Sequence, residues 1–314
     1  MEKCLKKLRL SVIVLLYKGN RWIDTCVRSL ENQSLGRESY EIILVDNGGF
    51  TTLVRDYRQR NGVHIITFPV NCGFAGGYNK AIPCAGGEII LLMNQDVMVH
   101  YNCLEEIIGA FDSHPEAGVV SASMLMVSEK KAIDSYGFVD HMAGYYTLSR
   151  FGYASYRMAK CEDDLIPVEF VSGNALGFRK IILPEIGNRL FDSYLVSYAE
   201  DLDLSIRLAT TDWKMYVCRK AIVYHFRDEA FSGKAIDKVR KLIHISSNRL
   251  LVYYNNLGAI GFLKKLPSLL IGIPLKVGRL DGEANFNSQR FIYACALLPL
   301  ILLYFIKRQL KRNR

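Results

Sequence analysis

Apolar positions along this chain follow two different periods. Residues 11–16 (SVIVLL), 41–45 (EIILV), 64–68 (HIITF) and 88–93 (EIILLM) are short, nearly continuous runs rich in Val, Ile and Leu. Runs of that length suit strands covered on both faces, as in a parallel sheet. Between them, residues 21–30 repeat at helical spacing with Trp22, Cys26 and Leu30 in one row, and residues 51–60 suit a second helix. A glycine-rich stretch at 71–78 leads into a short third helix, and Gly86-Gly87 turns the chain into the fourth strand. A helix over 103–111 and a strand over 119–125 come next. This alternation predicts an α/β fold, a doubly wound, mostly parallel Rossmann-like sheet flanked by helices with right-handed crossovers. Residues 129–165 show little periodicity and are predicted as excursions and loops. Residues 170–178 read as a strand, 199–210 as a strong helix and 214–224 as a strand or strand pair.

Charge divides the chain where the apolar period changes. Its 40 Lys/Arg and 31 Asp/Glu give a net charge of +9, and residues 234–314 carry 15 of the basic residues against Asp237, Asp281 and Glu283. The predicted organisation is therefore a ligand-binding and catalytic unit over 1–233 and a basic, amphipathic helical region over 234–314. A basic tail suits nucleic acid or an anionic membrane. The long apolar runs interleaved with the charges fit only the membrane, so no nucleic-acid partner is expected. Residues 291–306 hold 16 positions without a charge between Arg290 and Lys307-Arg308. As a helix they reach about 24 Å, short of the ~30 Å hydrocarbon core, and Pro299 weakens the run. An interfacial or re-entrant helix, a span through a thinned bilayer and a buried core helix all fit; residues 266–277 make a second dipping segment. The closing KRQLKRNR suits an anchor on the cytoplasmic face. Eight scattered cysteines without a C-x-x-C pair argue against a zinc module and for reduced thiols. The apolar run 10–17 is too short for a signal-peptide core and reads as a strand, which leaves the catalytic unit in the cytoplasm.

In such a sheet, ligands bind beyond the carboxyl ends of the strands. Two predicted strands end in acid-bearing turns, Asp46-Asn47 and Asn94-Gln95-Asp96. Asp46 suits hydrogen bonds from a nucleobase N–H or a ribose hydroxyl, and Asp96 suits a hard divalent cation bridging a diphosphate; either acid equally suits a turn cap. The loop Asn71–Asn79, written NCGFAGGYN, allows close backbone approach by phosphate or ribose, although its spacing fails the dinucleotide fingerprint and a plain tight turn fits as well. In YAEDLDLSIRL, Leu202 and Ile206 form an apolar stripe while Glu200 and Asp201 occupy the first turn. Asp201 and Asp203 lie about 200° apart around a helix and cannot serve one site; Asp201 is expected to face the cleft, and Asp203 to pair with Arg207. His225, after the strand, suits either a ligand or a core histidine.

Taken in order, SVIVLLYKGN, EIILVDNGG, NCGFAGGYNKAI, LLMNQDV, VSGNALGFRK and YAEDLDLSIRL resemble the family 2 glycosyltransferases of the GT-A fold, above all their rhamnosyltransferase-like branch, over roughly residues 8–255. The resemblance implies that Asp46 contacts the base, and that Asn71, Gly73 and Asn79 wrap the nucleoside and diphosphate. It implies that Asp96 fills the last position of a D-x-D metal motif for Mg²⁺ or Mn²⁺, with Asn94 in the first position. Asp201, in the Glu200-Asp201 pair, matches the general base; His225 matches a histidine that helps hold metal or diphosphate; Gly173 and Asn174 line the sugar and acceptor pocket. No Q-x-x-R-W follows the helix, which points away from a processive polymerase. The expected activity is inverting transfer from a nucleotide-sugar, dTDP-rhamnose by branch, to a hydroxyl of a lipid-linked or cell-surface glycan such as one on polyprenyl diphosphate. A nucleotidyltransferase and a membrane scaffold that has lost catalysis are the competing readings.

Overall fold

The computed structural model describes residues 8–17, 21–49, 57–127, 144–148, 154–158, 163–226, 235–278 and 287–312. Its first half is a parallel sheet of β1 (Leu10–Leu16), β2 (Tyr40–Asn47), β3 (Val63–Phe68) and β4 (Ile89–Asn94) in the order β3-β2-β1-β4. β1 shows why these strands read as unbroken apolar runs. Val12, Val14 and Leu16 pack on one face with Ile23, Cys26, Val27 and Leu30 of α1 (Ile23–Glu31), while Ile13 and Leu15 pack on the other with Ala75, Tyr78 and Ala81 of α2 (Gly73–Ala81). A strand sandwiched between two helical layers has no face left for a polar side chain.

The second half is mixed. After β5 (Val97–Val99), α3 (Cys103–Ser113) and β6 (Ala117–Val127), the chain returns as β10 (Ala175–Arg179), which runs antiparallel between β4 and β6. β11 (Lys214–Phe226) lies parallel to β6, and β5 closes the edge antiparallel to β11. Two expectations change. The region 129–165 contains a hairpin of β7 (Gly144–Leu148) and β8 (Ala154–Met158) set against β6, where only loops are predicted; a short β9 (Leu165–Pro167) follows and pairs with β11. The strand predicted over 170–178 forms only from Ala175, because residues 171–173 give backbone groups to a neighbouring helix: the Val171 N–H donates to Ser205 Oγ at 3.2 Å. Of the helix predicted over 51–60, residues 51–56 lie outside the described residues.

Three helices complete the molecule: α4 (Glu200–Leu208), α5 (Ala235–Gly278) and α6 (Ser288–Arg312). α5 breaks at Gly258, whose φ of 66° and ψ of 176° are not helical, and the segment 266–277 lies in its second half, Pro267 and Pro274 included. Leu250, Leu251 and Phe262 of α5 and Leu297, Ile301 and Phe305 of α6 form one apolar cluster with Leu195, Ala199 and Leu202. α5 and α6 are thus seated on the first turn of α4.

Candidate active site

The parallel register sets Leu16 beside Asp46 and Leu15 beside Asn94, so the ends of β2 and β4 flank the end of β1. With strands about 4.8 Å apart, the two acid-bearing turns lie roughly 10 Å from each other across it. Asp46 is fully buried at its strand end. Next to it, Asn47 holds the glycine-rich loop in shape. Its amide donates to Asn71 Oδ1 (3.1 Å) and the Gly73 carbonyl (3.0 Å), and its Oδ1 accepts the Cys72 N–H (2.8 Å). Asn71 Oδ1 also accepts the Gly73 N–H at 2.8 Å. Gly73 adopts φ +73°, and a Cβ there would stand 2.8 Å from the Val196 carbonyl oxygen, so only glycine fits. Asn79 faces the other way: its amide donates to the Phe191 carbonyl (2.6 Å) and Ser193 Oγ (3.0 Å) and accepts the Phe191 N–H (3.1 Å), anchoring α2 to the loop before α4.

Both reversals of direction in the sheet deliver residues to this end. Because β10 is antiparallel to β4, with Ala175 opposite Met93, Asn174 arrives beside Asn94. The Asn94 amide donates to Asn174 Oδ1 at 3.0 Å, and its backbone N–H to the Asn174 carbonyl at 3.1 Å. Because β5 is antiparallel to β11, Asp96 arrives beside His225; Oδ2 and Nε2 stand 3.4 Å apart, and the Phe226 N–H donates to the Asp96 carbonyl at 2.9 Å. Gln95, between the two site residues, clasps Tyr17 with its amide, donating to its carbonyl (2.9 Å) and accepting its N–H (2.8 Å).

Asp201 closes the circuit. Its carboxylate accepts the Leu202 N–H at 2.8 Å and the N–H of Gly173, the residue next to Asn174. Ser205 Oγ donates to the Asp201 carbonyl at 2.7 Å and accepts from Val171, tying α4 to the same 171–174 segment. Burial raises the Asp201 carboxyl above its usual range, while Arg249 of α5 and the two N–H donors pull it back. Glu200 is more deeply buried, its Oε2 has no hydrogen-bond partner among the described residues, and desolvation followed by the Asp201 charge push its carboxyl up to about 8. Of the two, Glu200 is the one held protonated most strongly, by burial and by the neighbouring Asp201 carboxyl, while Asp201 alone has Arg249 and backbone N–H groups favouring its charged form. Asp203 points elsewhere as predicted, salt-bridged to Arg207 at 2.8 Å and accepting from Asn256 at 2.9 Å.

Among the predicted residues, Asn94, Gly173, Asn174 and Asp201 are joined by direct hydrogen bonds, Asp96 meets His225, and Asn71 and Gly73 share one turn beside Asp46. Sequence reasoning misses Asn47, Gln95 and Arg249. The first two are immediate neighbours of a singled-out acid, Asn47 after Asp46 and Gln95 before Asp96, and carry amides able to bond backbone, which is the one local signal they offer. Asp96 and His225 suit a divalent cation, a hard carboxylate oxygen with an imidazole. Among the described residues no group of three or more His, Cys, Asp or Glu side chains lies together, so the remaining ligands would have to come from substrate and water.

A family model for glycosyl transferase family 2 matches residues 11–182, more than half of the chain. A poly(ribitol-phosphate) beta-glucosyltransferase of Bacillus spizizenii is 33% identical over 94 residues, 28% of this chain but 15% of that protein. An N-acetylglucosaminyl-diphospho-decaprenol L-rhamnosyltransferase of Mycobacterium tuberculosis is 22% identical over 237 residues, 69% of this chain and 76% of its own length. The chain spans well under half the length of the first curated relatives it matches. Among solved structures, GalNAc-T7 with UDP, GalNAc and Mn²⁺ superposes with a TM-score of 0.63 at 12% identity, covering 94% of this chain and 57% of that one, which shows the GT-A architecture. With strand ends, glycine-rich loop and acidic helix in the expected order and the family model covering most of that order, the chain belongs to glycosyl transferase family 2.

Proposed function

We propose that this chain transfers a sugar from a nucleotide-sugar onto a hydroxyl of a lipid-linked or cell-surface glycan, with inversion at the anomeric carbon. The observation that supports the reading is the link from Asn94 to Asn174, through the adjacent Gly173, to Asp201, which brings the Asp201 carboxyl to the end of the sheet where β1, β2 and β4 stop. Inversion needs one base, and the paired acids supply one: Asp201 accepts the acceptor hydroxyl's proton as that oxygen attacks C1, while protonated Glu200 keeps the charge localised. Such a base contributes about 10²–10⁴-fold. Asp46 and the Asn71–Gly73 turn bind the nucleoside, with Asn47 and Asn79 acting through the framework they hold. Asp96 and His225 would hold Mg²⁺ or Mn²⁺, as the Mn²⁺ in the GalNAc-T7 structure suggests. A divalent ion there would neutralise charge developing on the departing nucleoside diphosphate.

Rhamnose from dTDP-rhamnose is the best-supported donor, because the relative aligned over most of both chains is an L-rhamnosyltransferase whose named acceptor is a diphospho-decaprenol. Attachment to the cytoplasmic face of the membrane through residues 234–314 accords with that acceptor. Val239–Leu275, divided by the break at Gly258, and Ser288–Arg312 are long and apolar enough to cross a bilayer, and only 28% and 22% of their apolar windows are buried, which supports that attachment. A nucleotidyltransferase draws no support from the family match. The test is a screen of nucleotide-sugars on detergent-purified protein with Mg²⁺ or Mn²⁺, using a polyprenyl-diphosphate acceptor. Transfer that Asp201→Asn abolishes supports the reading; wild-type transfer by Asp201→Asn refutes the base, and no turnover of any donor refutes the activity.

A further inference from the structure

The four residues before Glu200 form the most strained stretch of described backbone. Val196, Tyr198 and Ala199 all have positive φ, at 65°, 68° and 68°. Val196, with ψ −60°, sits at the centre of a γ-turn closed by the Ser197 N–H donating to the Leu195 carbonyl at 2.7 Å. A β-branched residue in that conformation is a genuine outlier, and such residues persist only where their surroundings over-determine them.

The surroundings come from the C-terminal helices. The Asn248 side chain, fully buried on α5, shares its two N–H groups among the carbonyls of Leu195 (3.0 Å), Ser197 (2.8 Å) and Tyr198 (2.8 Å). One turn earlier on α5, His244 Nε2 stands 3.2 Å from the same Ser197 carbonyl. From α6, Arg308 donates to Asn248 Oδ1 and to the Tyr194 carbonyl (2.6 Å), while the Tyr194 hydroxyl donates to the Arg308 carbonyl. Arg312 pairs with Asp192, whose Oδ1 accepts the Tyr194 N–H. On its opposite side the turn touches the donor loop: the Val196 carbonyl accepts the Ala75 N–H at 3.1 Å and lies against Gly73.

We infer that Asn248 and Arg308 are positioning residues for the reaction, a two-helix clamp that holds the Leu195–Ala199 turn strained so that the Glu200-Asp201 pair is aimed at a donor seated in the Asn71–Gly73 loop. The inference rests on the reading of Asp201 as base. Its geometric part stands on the carbonyl contacts alone. It also gives the apolar helix pair a second role: seating α6 against α5 sets the geometry of the base. Neither residue contacts the Asn71–Gly73 loop, and the turn they hold meets it only at the Val196 carbonyl, so the larger effect of loosening the clamp is on the attack step.

The experiment follows hydrogen exchange by mass spectrometry and steady-state transfer on the full chain in detergent, comparing Asn248→Ala, Arg308→Ala and Arg308→Lys with wild type. The expected result is faster exchange for peptides covering residues 193–203, by at least ~10-fold, with β1 and β2 peptides unchanged. Transfer kcat should fall ~10–100-fold with donor KM within about threefold, and Arg308→Lys, which keeps a donor near Asn248, should recover part of the loss. Unchanged exchange in 193–203, or faster exchange with unchanged kcat, overturns the clamp. Equal losses in all three variants with raised donor KM would overturn it too, showing a general structural role. If Asn248→Ala exchanges globally, the two Arg308 variants decide. If wild type transfers nothing, the exchange arm still tests the clamp while the failure falls on the proposed activity.

Discussion

Glu200 offers a stability measurement that reports directly on whether its carboxyl is held protonated in the folded chain. Asp201 stands next to it, the more distant Asp203 charge acts on it from the same helix, Tyr198 from the turn and Tyr78 from α2, and Arg249 of α5 lies beside Asp201. In the unfolded chain Glu200 sheds its proton near its ordinary 4.5; in the folded chain it keeps it to about 8. Between those values the folded state binds the extra proton, so stability is full below about pH 4.5, falls as pH rises, and levels off above 8. Going from 4.5 to about 8 at ~1.4 kcal/mol per pH unit makes the whole fall about 5 kcal/mol, of which about 2–3 kcal/mol accrues between pH 5 and pH 7. Glu200→Gln removes that titration. The fixed cost of placing an amide there is the same at every pH and cancels when the two pH values are subtracted. The variant should therefore gain on wild type by about 4–12 °C in Tm between pH 5 and pH 7, at ~2–4 °C per kcal/mol. Melting followed through Trp22 and Trp213 emission in detergent gives the curves. At pH 7 the same variant should keep transfer within about tenfold of wild type, whereas Asp201→Asn should lose ~10²–10⁴-fold. Parallel melting curves with a constant gap would show that Glu200 is already ionised at pH 5, and the division of roles would fall with it.

Asp96→Ala and His225→Ala should each weaken Mn²⁺ binding, read by electron paramagnetic resonance of free Mn²⁺, and raise the metal concentration for half-maximal transfer at least tenfold; unaltered binding would place the metal elsewhere. Gly73→Ala forces a Cβ onto the Val196 carbonyl at φ +73° and should cost about 2–3 kcal/mol of stability and weaken nucleoside-diphosphate binding, checked by melting and calorimetry with UDP, dTDP and GDP. Leu300→Lys with Leu303→Lys, at two exposed positions of α6, should abolish flotation with liposomes containing anionic lipid while leaving Tm unchanged. Flotation equal to wild type would mean that this face does not enter the bilayer.

How much of this was legible in the sequence depends on how far each determinant reaches along the chain. Strand ends and the first turn of α4 are local: an apolar run that stops at Asp46 or Asn94, and an acid pair opening an amphipathic stripe, announce themselves within ten residues. β7 and β8 do not, because Gly, Tyr and Ser at 144–158 blur the two-residue period that would mark a hairpin. The clamp is still less visible. Asn248 reaches carbonyls about 50 residues earlier and Arg308 about 114 earlier, and on sequence each is one polar residue in a helix. The cue is the uncharged polar run His244-Ile245-Ser246-Ser247-Asn248 in a basic, amphipathic helix. His244 and Asn248, four apart, share a face, and polar side chains on a buried face must find polar partners.

What no apolar pattern states is strand direction, and here direction decides the site. A run such as ALGFR reads identically whether it enters the sheet parallel or antiparallel. Were β10 parallel to β4, its first residue would lie at the far end of the sheet, about 17 Å away over five residues, and Gly173 and Asn174 could bond neither Asn94 nor Asp201. The antiparallel entry brings them to the end where β1, β2 and β4 already stop. The reversal of β5 against β11 does the same for Asp96 and His225. The parallel half supplies one wall, the Asp46 and Asn71–Gly73 side, and it would supply it in any doubly wound protein. The two reversals supply the opposite wall, beside the proposed base Asp201, and on the proposed function they turn one edge of a doubly wound sheet into a cleft where a second substrate's hydroxyl would meet C1 of the sugar.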